Sequence, residues 1–340
     1  MSVIRTAILG YGRSGSTLHA GPIEKNKAFH LAAVCDVAAA ARQTAVARFG
    51  CRPYDDYRRM LKEEPLDLVV IVTRSDQHCQ MTCDCLAGGV NVLVTKPWAV
   101  NADEAQRMIR AAESSGKLLL PWLPARWGSD LRRLRQLAVE EQAIGAVFLV
   151  RRVEGSFATR NDWQTERRHG GGYLLNWGPH IVDTPIQLLG SPVKSVYGRL
   201  KQTINPGDVE DIFIGILTLT NGALVQVEYT ITTESPPTWF LQGTRGTIVV
   251  NGAQLKINAR TPAQPSDPTQ CNAMQAVPDK ILEEKLAGSP YGDEHQIYKE
   301  IAAALCGEAH YPVTPASALE LSRVLDAIRT SSDENRVVMA

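Results

Sequence analysis

The stretch "AILGYGRSG" (7–15) decides the fold of this chain. An apolar run of strand length ends in glycines with G-x-G-x-x-G spacing, and a helix-compatible stretch follows. In that setting Gly10 permits a tight turn, Gly12 lets a pyrophosphate approach the backbone, and Gly15 lets the helix pack closely on the strand. Free N–H groups at the start of the helix would bind the phosphates. The stretch therefore predicts a dinucleotide-binding turn.

Residues 1–122 repeat this alternation of strand and helix. The strand runs are continuously apolar, which is typical of a parallel sheet that is covered on both faces. With right-handed crossovers they predict a doubly wound α/β domain of the Rossmann type over residues 1–122. The runs are "RTAILG" (5–10), "HLAAVCD" (30–36), "LDLVVIVT" (66–73), "VNVLVTKP" (90–97) and "KLLLPW" (117–122).

Asp36 follows the second apolar run, about 20 residues after the glycine turn, where a carboxylate accepts hydrogen bonds from a ribose diol. A carboxylate there repels a 2′-phosphate, and residues 37–41 contain no Arg or Lys that would neutralise it. The sequence therefore favours NAD over NADP as the cofactor. Arg42 and Arg13 are the two nearby cations that would reverse this preference.

The pattern changes after residue 122, where successive apolar runs are joined by tight turns such as "TNGA" (220–223). Hairpins indicate an open, largely antiparallel sheet, so we expect an α+β domain over residues 123–340. The predicted strands lie within 146–157, 193–200, 211–231 and 239–257, the predicted helices at 130–142, 293–307 and 316–332, and a Pro-containing loop at 264–280.

Composition excludes several classes of partner. Lys plus Arg equals Asp plus Glu at 36 each, and no apolar run reaches the length of a membrane span, so we expect neither nucleic acid nor membrane as a partner. Seven cysteines and no visible secretory signal favour reduced thiols and a cytoplasmic location. "HCQMTCDC" (78–85) predicts a packed helix without a metal, because no second Cys/His pair follows at a suitable spacing.

Several motifs, taken together in order and spacing, resemble the Gfo/Idh/MocA oxidoreductases. The resemblance implies a Rossmann domain, a second domain with an open sheet, NAD(P) binding, and reversible oxidation of a hydroxyl on a sugar, sugar acid or polyol. It also implies a homodimer or homotetramer that forms through the second sheet. The motifs are "AILGYGRSG", "VTRSDQH" (72–78), "VTKP" (94–97), "RWGSD" (126–130), "GGGYLLNWGPHIVD" (170–183), "GDVEDIFIGILTLTNGA" (207–223) and "YGDEHQIYKEI" (291–301).

Lys96 and His180 are the predicted catalytic residues. Lys96 follows a parallel strand, at the edge of the sheet where ligands bind, and its ammonium can donate to a developing alkoxide. An exposed loop lysine is the alternative interpretation. His180 can accept the hydroxyl proton, although a lone histidine on an apolar helix is more often a core residue. Thr95 stands where the family usually has Glu.

Asn176 lies one helical turn before His180, where the resemblance leads us to expect Asp. An amide orients a hydroxyl but cannot accept a proton. Two hypotheses follow: an enzyme that works with Lys96 and His180, or a non-catalytic dinucleotide-binding sensor on the same fold. Asp183 either orients the imidazole or caps a neighbouring element.

The remaining candidates follow from the resemblance, and for most of them a surface position is an equal alternative. Arg74 near a substrate would favour an anionic or highly hydroxylated ligand. The predicted substrate residues are Asn176, Arg126, Trp163 and Asp183, with Arg167, Arg168 and His169 as further candidates; the predicted cofactor residues are Gly10, Tyr11, Gly12, Arg13, Ser14, Gly15, Asp36, Thr73, Arg74, His78, Lys96 and Pro97.

Overall fold

A parallel six-stranded sheet with the order β3-β2-β1-β4-β5-β6 forms the first part of the molecule. The computed structural model describes residues 3–234, 236–261 and 278–340. This strand order confirms the predicted Rossmann arrangement, and the short β3 is an addition to the five predicted runs. The strands are β1 (Ile4–Leu9), β2 (Phe29–Cys35), β3 (Arg52–Tyr54), β4 (Leu68–Ile71), β5 (Asn91–Thr95) and β6 (Leu119–Trp122).

Helices connect these strands and begin and end where local sequence dictates. Asn101 caps α5 by accepting a hydrogen bond from the backbone N–H of Glu104 (2.9 Å), and Gly50 and Gly116 end α2 and α5 in the left-handed conformation. The first helix opens with a π-helical turn over Gly15–His19. The helices are α1 (Ala20–Lys25), α2 (Ala39–Phe49), α3 (Tyr57–Glu63), α4 (Ser75–Ala87) and α5 (Ala102–Ser115).

The second sheet has nine strands within the described ranges, in the order β14-β13-β12-β11-β7-β10-β9-β8-β15. β7 and β10 pair in parallel and the other neighbours are antiparallel, which confirms a largely antiparallel sheet. β14 and β15 were not predicted. The strands are β7 (Val147–Gly155), β8 (Val193–Lys201), β9 (Ile212–Leu219), β10 (Leu224–Thr230), β11 (Trp239–Gly243), β12 (Gly246–Asn251), β13 (Gln254–Ala259), β14 (Lys280–Lys285) and β15 (Val338–Met339).

One face of this second sheet is buried and the other is open. In β9, Phe213 and Leu217 are fully buried, whereas Ile214 and Ile216 on the opposite face are 37% and 44% exposed. The predicted loop at 264–280 lies outside the described residues, apart from its last three. The remaining helices are α6 (Ser129–Leu134), α7 (Tyr173–Ile181), α8 (Asp183–Leu189), α9 (Glu294–Leu305) and α10 (Pro315–Glu334); a π-helical segment (Arg135–Glu140) continues α6.

The last two helices pack back onto the first sheet and its helices. Trp98 Nε1 donates to Ser322 Oγ at 2.9 Å, and the backbone N–H of Ala102 donates to Asp326 Oδ2 at 2.8 Å. His19 Nδ1 lies 2.9 Å from the hydroxyl of Tyr298 in α9. These contacts link the two halves of the molecule, and a cleft lies between them.

Candidate active site

The cleft has a volume of about 490 Å³ and lies between the carboxyl ends of β4 and β5 and the start of α7. It is therefore at the edge of the parallel sheet where this class of fold binds ligands. Eight of the predicted site residues line it: Arg13, Ser14, Thr73, Lys96, Pro97, Trp163, Asn176 and His180.

The glycine turn has the backbone that a dinucleotide requires. Gly10 adopts φ +90°, and a Cβ there would come within 2.8 Å of the carbonyl oxygen of Val72. A Cβ at Gly15 would collide with the carbonyl oxygen of Gly10, whereas the space around Gly12 is open. The first and third glycines thus permit close packing, and the second leaves the backbone accessible. These residues fit a dinucleotide phosphate group.

The Asp36 carboxylate is fixed by two backbone N–H groups. Oδ2 accepts from Tyr11 at 2.7 Å and Oδ1 accepts from Ala38 at 2.8 Å. The guanidinium of Arg42 donates to the carbonyl oxygens of Asp36 and Val37 (2.6 and 3.1 Å), so it reinforces the loop rather than pairing with the carboxylate. The carboxylate remains in place to bind a ribose diol.

Lys96 reaches across the cleft to α7. Its Nζ donates to Asn176 Oδ1 at 2.7 Å and to the carbonyl oxygen of Asn176 at 3.0 Å. Burial lowers the pKa of Lys96 to about 8, and the positive charges of Arg160 and Arg13 act in the same direction. Thr95, in the position of the usual Glu, donates its hydroxyl to the carbonyl oxygen of Ile71 (2.9 Å). The support of Lys96 therefore comes from Asn176.

His180 is a buried, neutral imidazole. Burial lowers its pKa well below the usual value, and the charges of Lys96 and Arg152 lower it further. Its Nδ1 is sealed from solvent and has no hydrogen-bond partner among the described residues. Its ring packs edge-on against Tyr291, with the centroids 4.9 Å apart. A neutral imidazole in this cleft can accept a proton.

Arg126 and Asp183, which the sequence analysis assigned to substrate, are placed differently. They form a buried bidentate ion pair, with Arg126 Nε and Nη2 donating to Asp183 at 2.7 and 2.8 Å. Arg126 also donates to Ser317 Oγ at 2.7 Å, which ties the pair to α10. Neither side chain lines the cleft. Their charges are satisfied by each other, so these contacts favour a structural role for the pair over the predicted role in substrate binding.

Seven predicted cofactor residues do not line the cleft: Gly10, Tyr11, Gly12, Gly15, Asp36, Arg74 and His78. His78 is buried, and its ring nitrogens lie 2.8 and 3.0 Å from the carbonyl oxygens of Pro97 and Thr73. It therefore positions the two loops that line the cleft. Arg74 forms an ion pair with Asp76 at 3.4 Å. The ring of Tyr11 packs against that of Phe49, and only its backbone N–H serves Asp36.

The substrate side of the cleft contains residues that the sequence analysis did not name. Arg160 lines the cleft and pairs with Asp162 (2.7 Å). The sequence analysis missed it because no motif marks the segment in which it lies. Tyr291 and Glu294 lie in the quoted "YGDEHQIYKEI" stretch, which was the available signal. The candidates Arg167, Arg168 and His169 do not line the cleft; they contact Asp208, Glu166 and Asp76 respectively.

Two general features of the described ranges bear on function. In residues 3–234, 236–261 and 278–340 no group of three or more His, Cys, Asp or Glu side chains could hold a metal ion. No helix in the same ranges has the length and apolar character needed to cross a membrane. Cys79 and Cys85 are buried within α4, as the packed-helix interpretation predicts.

Comparison with known families accounts for both halves of the molecule. Residues 4–121 match the model described as oxidoreductase family, NAD-binding Rossmann fold. Residues 131–249 match the model of the GFO/IDH/MocA C-terminal domain. The chain belongs to the Gfo/Idh/MocA oxidoreductase family. The resemblance drawn from the motifs is confirmed, and the chain is an oxidoreductase with an NAD(P)-binding Rossmann domain.

Other Gfo/Idh/MocA proteins align with most of the chain. The scyllo-inositol 2-dehydrogenase (NADP(+)) of Bacillus subtilis is 24% identical over 356 residues and covers 100% of this chain and 96% of its own. The D-glucoside 3-dehydrogenase of Escherichia coli is 27% identical, covering 67% of this chain and 70% of its own. The crystal structure of an NAD-binding protein from Listeria innocua superimposes with a TM-score of 0.85 at 25% identity, covering 100% and 97%.

Proposed function

We propose that this oxidoreductase is an NAD-dependent dehydrogenase that transfers a hydride between the nicotinamide and a hydroxyl or keto carbon of a sugar, sugar acid or polyol. The observation that carries the proposal is the presence of a lysine ammonium and a neutral imidazole in one cleft beside the glycine turn. The relatives named for inositol and D-glucoside oxidation support this substrate class.

The bound cofactor supplies the hydride acceptor for alcohol oxidation. His180 accepts the hydroxyl proton, and we assign this to Nε2 because Nδ1 is the nitrogen sealed from solvent. Lys96 donates a hydrogen bond to the same substrate oxygen and stabilises the negative charge that develops on it. Asn176 accepts from Lys96 and holds the ammonium in place. Trp163 and Arg160 line the remaining wall and contact the substrate.

Both catalytic groups have the required protonation state at neutral pH. Lys96, whose pKa is about 8, is charged below that pH, and the pKa of His180 lies well below the usual value, so its ring is neutral. We therefore expect kcat/KM to fall on the alkaline side as Lys96 deprotonates.

The proposal includes expectations about cofactor preference, domain division, oligomeric state and location. Asp36 favours NAD over NADP because its carboxylate repels a 2′-phosphate. The division into a cofactor domain (1–122) and a substrate domain (123–340) follows the two sheets.

The exposed apolar side chains on the open face of the second sheet support a homodimer or homotetramer through that face. The unpaired cysteines of the described ranges support a cytoplasmic location. The exposed apolar side chains of the open face are Ile214, Ile216 and Leu224.

The test is a panel of sugars, sugar acids and inositols with NAD and with NADP, monitored by the absorbance of the reduced cofactor. We expect turnover of at least one hydroxylated substrate, with NAD preferred. Tight NAD binding by calorimetry without turnover of any member would contradict the enzyme and favour the sensor. Tighter binding of NADP than of NAD would refute the role of Asp36, and a monomer in light scattering would refute the oligomer.

A further inference from the structure

Helix α7 carries both Asn176 and His180, yet it begins without a capping side chain of its own. The residue at its N-cap is Gly172, which adopts φ +106° and makes no side-chain hydrogen bond. The first N–H groups of any helix lack partners within the helix and must be satisfied from elsewhere. The partner of these N–H groups therefore decides how firmly the first turn of α7 is held.

Glu210, from the segment before β9, supplies that partner. Its carbonyl oxygen accepts from the N–H of Tyr173 at 3.1 Å, and its Oε1 accepts from the N–H of Leu174 at 2.9 Å. A Cβ at Gly172 would collide with the Glu210 carboxylate, so the glycine makes room for it. A carboxylate at this end of a helix also interacts favourably with the helix dipole.

The segment that carries Glu210 is itself rigidly held. The neighbouring carboxylate of Asp211 is buried and accepts hydrogen bonds from three consecutive backbone N–H groups. These N–H groups belong to Thr203, Ile204 and Asn205, at distances of 2.7, 2.8 and 2.8 Å. Glu210 thus meets α7 from a fixed loop.

The first turn of α7 is connected directly to Lys96. The N–H of Asn176 donates to the carbonyl oxygen of Gly172 at 3.0 Å, so the position of Asn176 depends on an intact first turn. Both oxygens of Asn176 accept from Lys96 Nζ. Fraying of the turn would therefore remove the acceptors that stabilise the Lys96 ammonium. His180, one turn later, is held by packing and depends less on the cap.

We propose that Glu210 is a positioning residue, which caps α7 from the opposite segment and thereby holds Asn176 against Lys96. The inference rests on the proposed function only for the role of Lys96 in catalysis; the contact itself is testable without turnover. The charged and titratable groups that face Lys96 are Arg13 and Arg160, with His180 on α7.

The experiment compares Glu210→Ala with Glu210→Gln in the full chain. Competitive acetylation followed by mass spectrometry measures the pKa of Lys96 without any substrate. In Glu210→Ala we expect this pKa to fall by about one unit, because hydrogen bonds to the charged form are lost. We expect Glu210→Gln to restore a value close to wild type, because its side-chain oxygen still accepts from Leu174. If a substrate is turned over, kcat of Glu210→Ala should fall about tenfold while the Kd for NAD is unchanged.

Asp56→Ala is the matched control, because Asp56 caps α3 by accepting from Arg58 N–H (2.8 Å), and α3 does not line the cleft. It should lower stability without changing the pKa of Lys96. The proposal is overturned if Glu210→Ala folds and leaves that pKa unchanged, if Glu210→Gln shifts it as far as alanine, or if Asp56→Ala shifts it equally. If no substrate of the panel is turned over but Glu210→Ala shifts the pKa of Lys96, the proposed enzymatic function is refuted. The role of Glu210 in capping α7 is then still supported.

Discussion

The two walls of the cleft are built in different ways. On the cofactor side the geometry rests on backbone: Gly10 and Gly15 leave no room for a Cβ, the space around Gly12 is open, and two backbone N–H groups fix the Asp36 carboxylate. On the substrate wall side chains from distant segments meet, such as Lys96 with Asn176 and Glu210 with α7. The cofactor side therefore depends on backbone geometry and on the missing Cβ atoms of Gly10 and Gly15, whereas the substrate side depends on contacts between side chains.

The largest expected effect separates the two walls most directly. Lys96→Ala and His180→Ala should each lower kcat about 100- to 10,000-fold, because each removes a group that acts on the proton or the charge of the reacting oxygen. The Kd for NAD, measured by calorimetry, should change less than threefold, because the backbone wall remains. Wild-type kcat in both variants would sink the catalytic assignment.

Arg126→Leu tests whether the buried pair belongs to the scaffold or to the site. Removal of the guanidinium leaves the Asp183 carboxylate buried and unpaired, which should cost about 3–5 kcal/mol of unfolding free energy, measured in urea. The KM for the substrate should stay within about twofold for the folded fraction, since the pair does not line the cleft.

Arg160→Leu is the natural counterpart, because the Arg160–Asp162 pair is more exposed (31% and 45%, against 10% and 1%). Its loss should cost no more than about 1 kcal/mol of stability but raise KM. If Arg126→Leu left the free energy of unfolding unchanged and raised KM, Arg126 would be assigned to substrate binding again.

Asn176→Asp should change a pH profile rather than abolish activity, and this effect is the most informative one. A carboxylate beside Lys96 Nζ favours the ammonium, so the pKa of Lys96 should rise from about 8 by one unit or more. The alkaline limb of the pH profile of kcat/KM should move to higher pH by the same amount. A limb that stays in place in Asn176→Asp would show that it reports a group other than Lys96.

The sequence predicted the Rossmann fold of the cofactor half well because its determinants are local. Three glycines at a fixed spacing and an aspartate at the end of a strand specify the backbone geometry there. This geometry depends on few residues that are distant in sequence. Lys96 and His180, which the sequence predicted as catalytic residues, both line the cleft, and each lies in a quoted motif.

The substrate wall was harder to predict because long-range partners decide it. Asn176 was interpreted as a substrate ligand or a lost acid, and its contact with Lys96, 80 residues away, was not foreseen. Arg126 and Asp183 were assigned to substrate binding because the sequence does not show that their charges pair. The two residues are 57 positions apart in the chain and meet only in the folded structure. Glu210 was part of a quoted motif, but only the packing of its segment on α7 reveals a role.

The packing of α9 against the first sheet has a consequence for the folding of the chain during its synthesis. Tyr298 is fully buried, and its ring lies 5.4 Å from that of Phe29 and 5.9 Å from that of Trp122. A nascent chain therefore cannot finish the core of the cofactor half until residue 298 has left the ribosome. The N-terminal half, although it is synthesised first, therefore completes its core only after most of the chain has been translated.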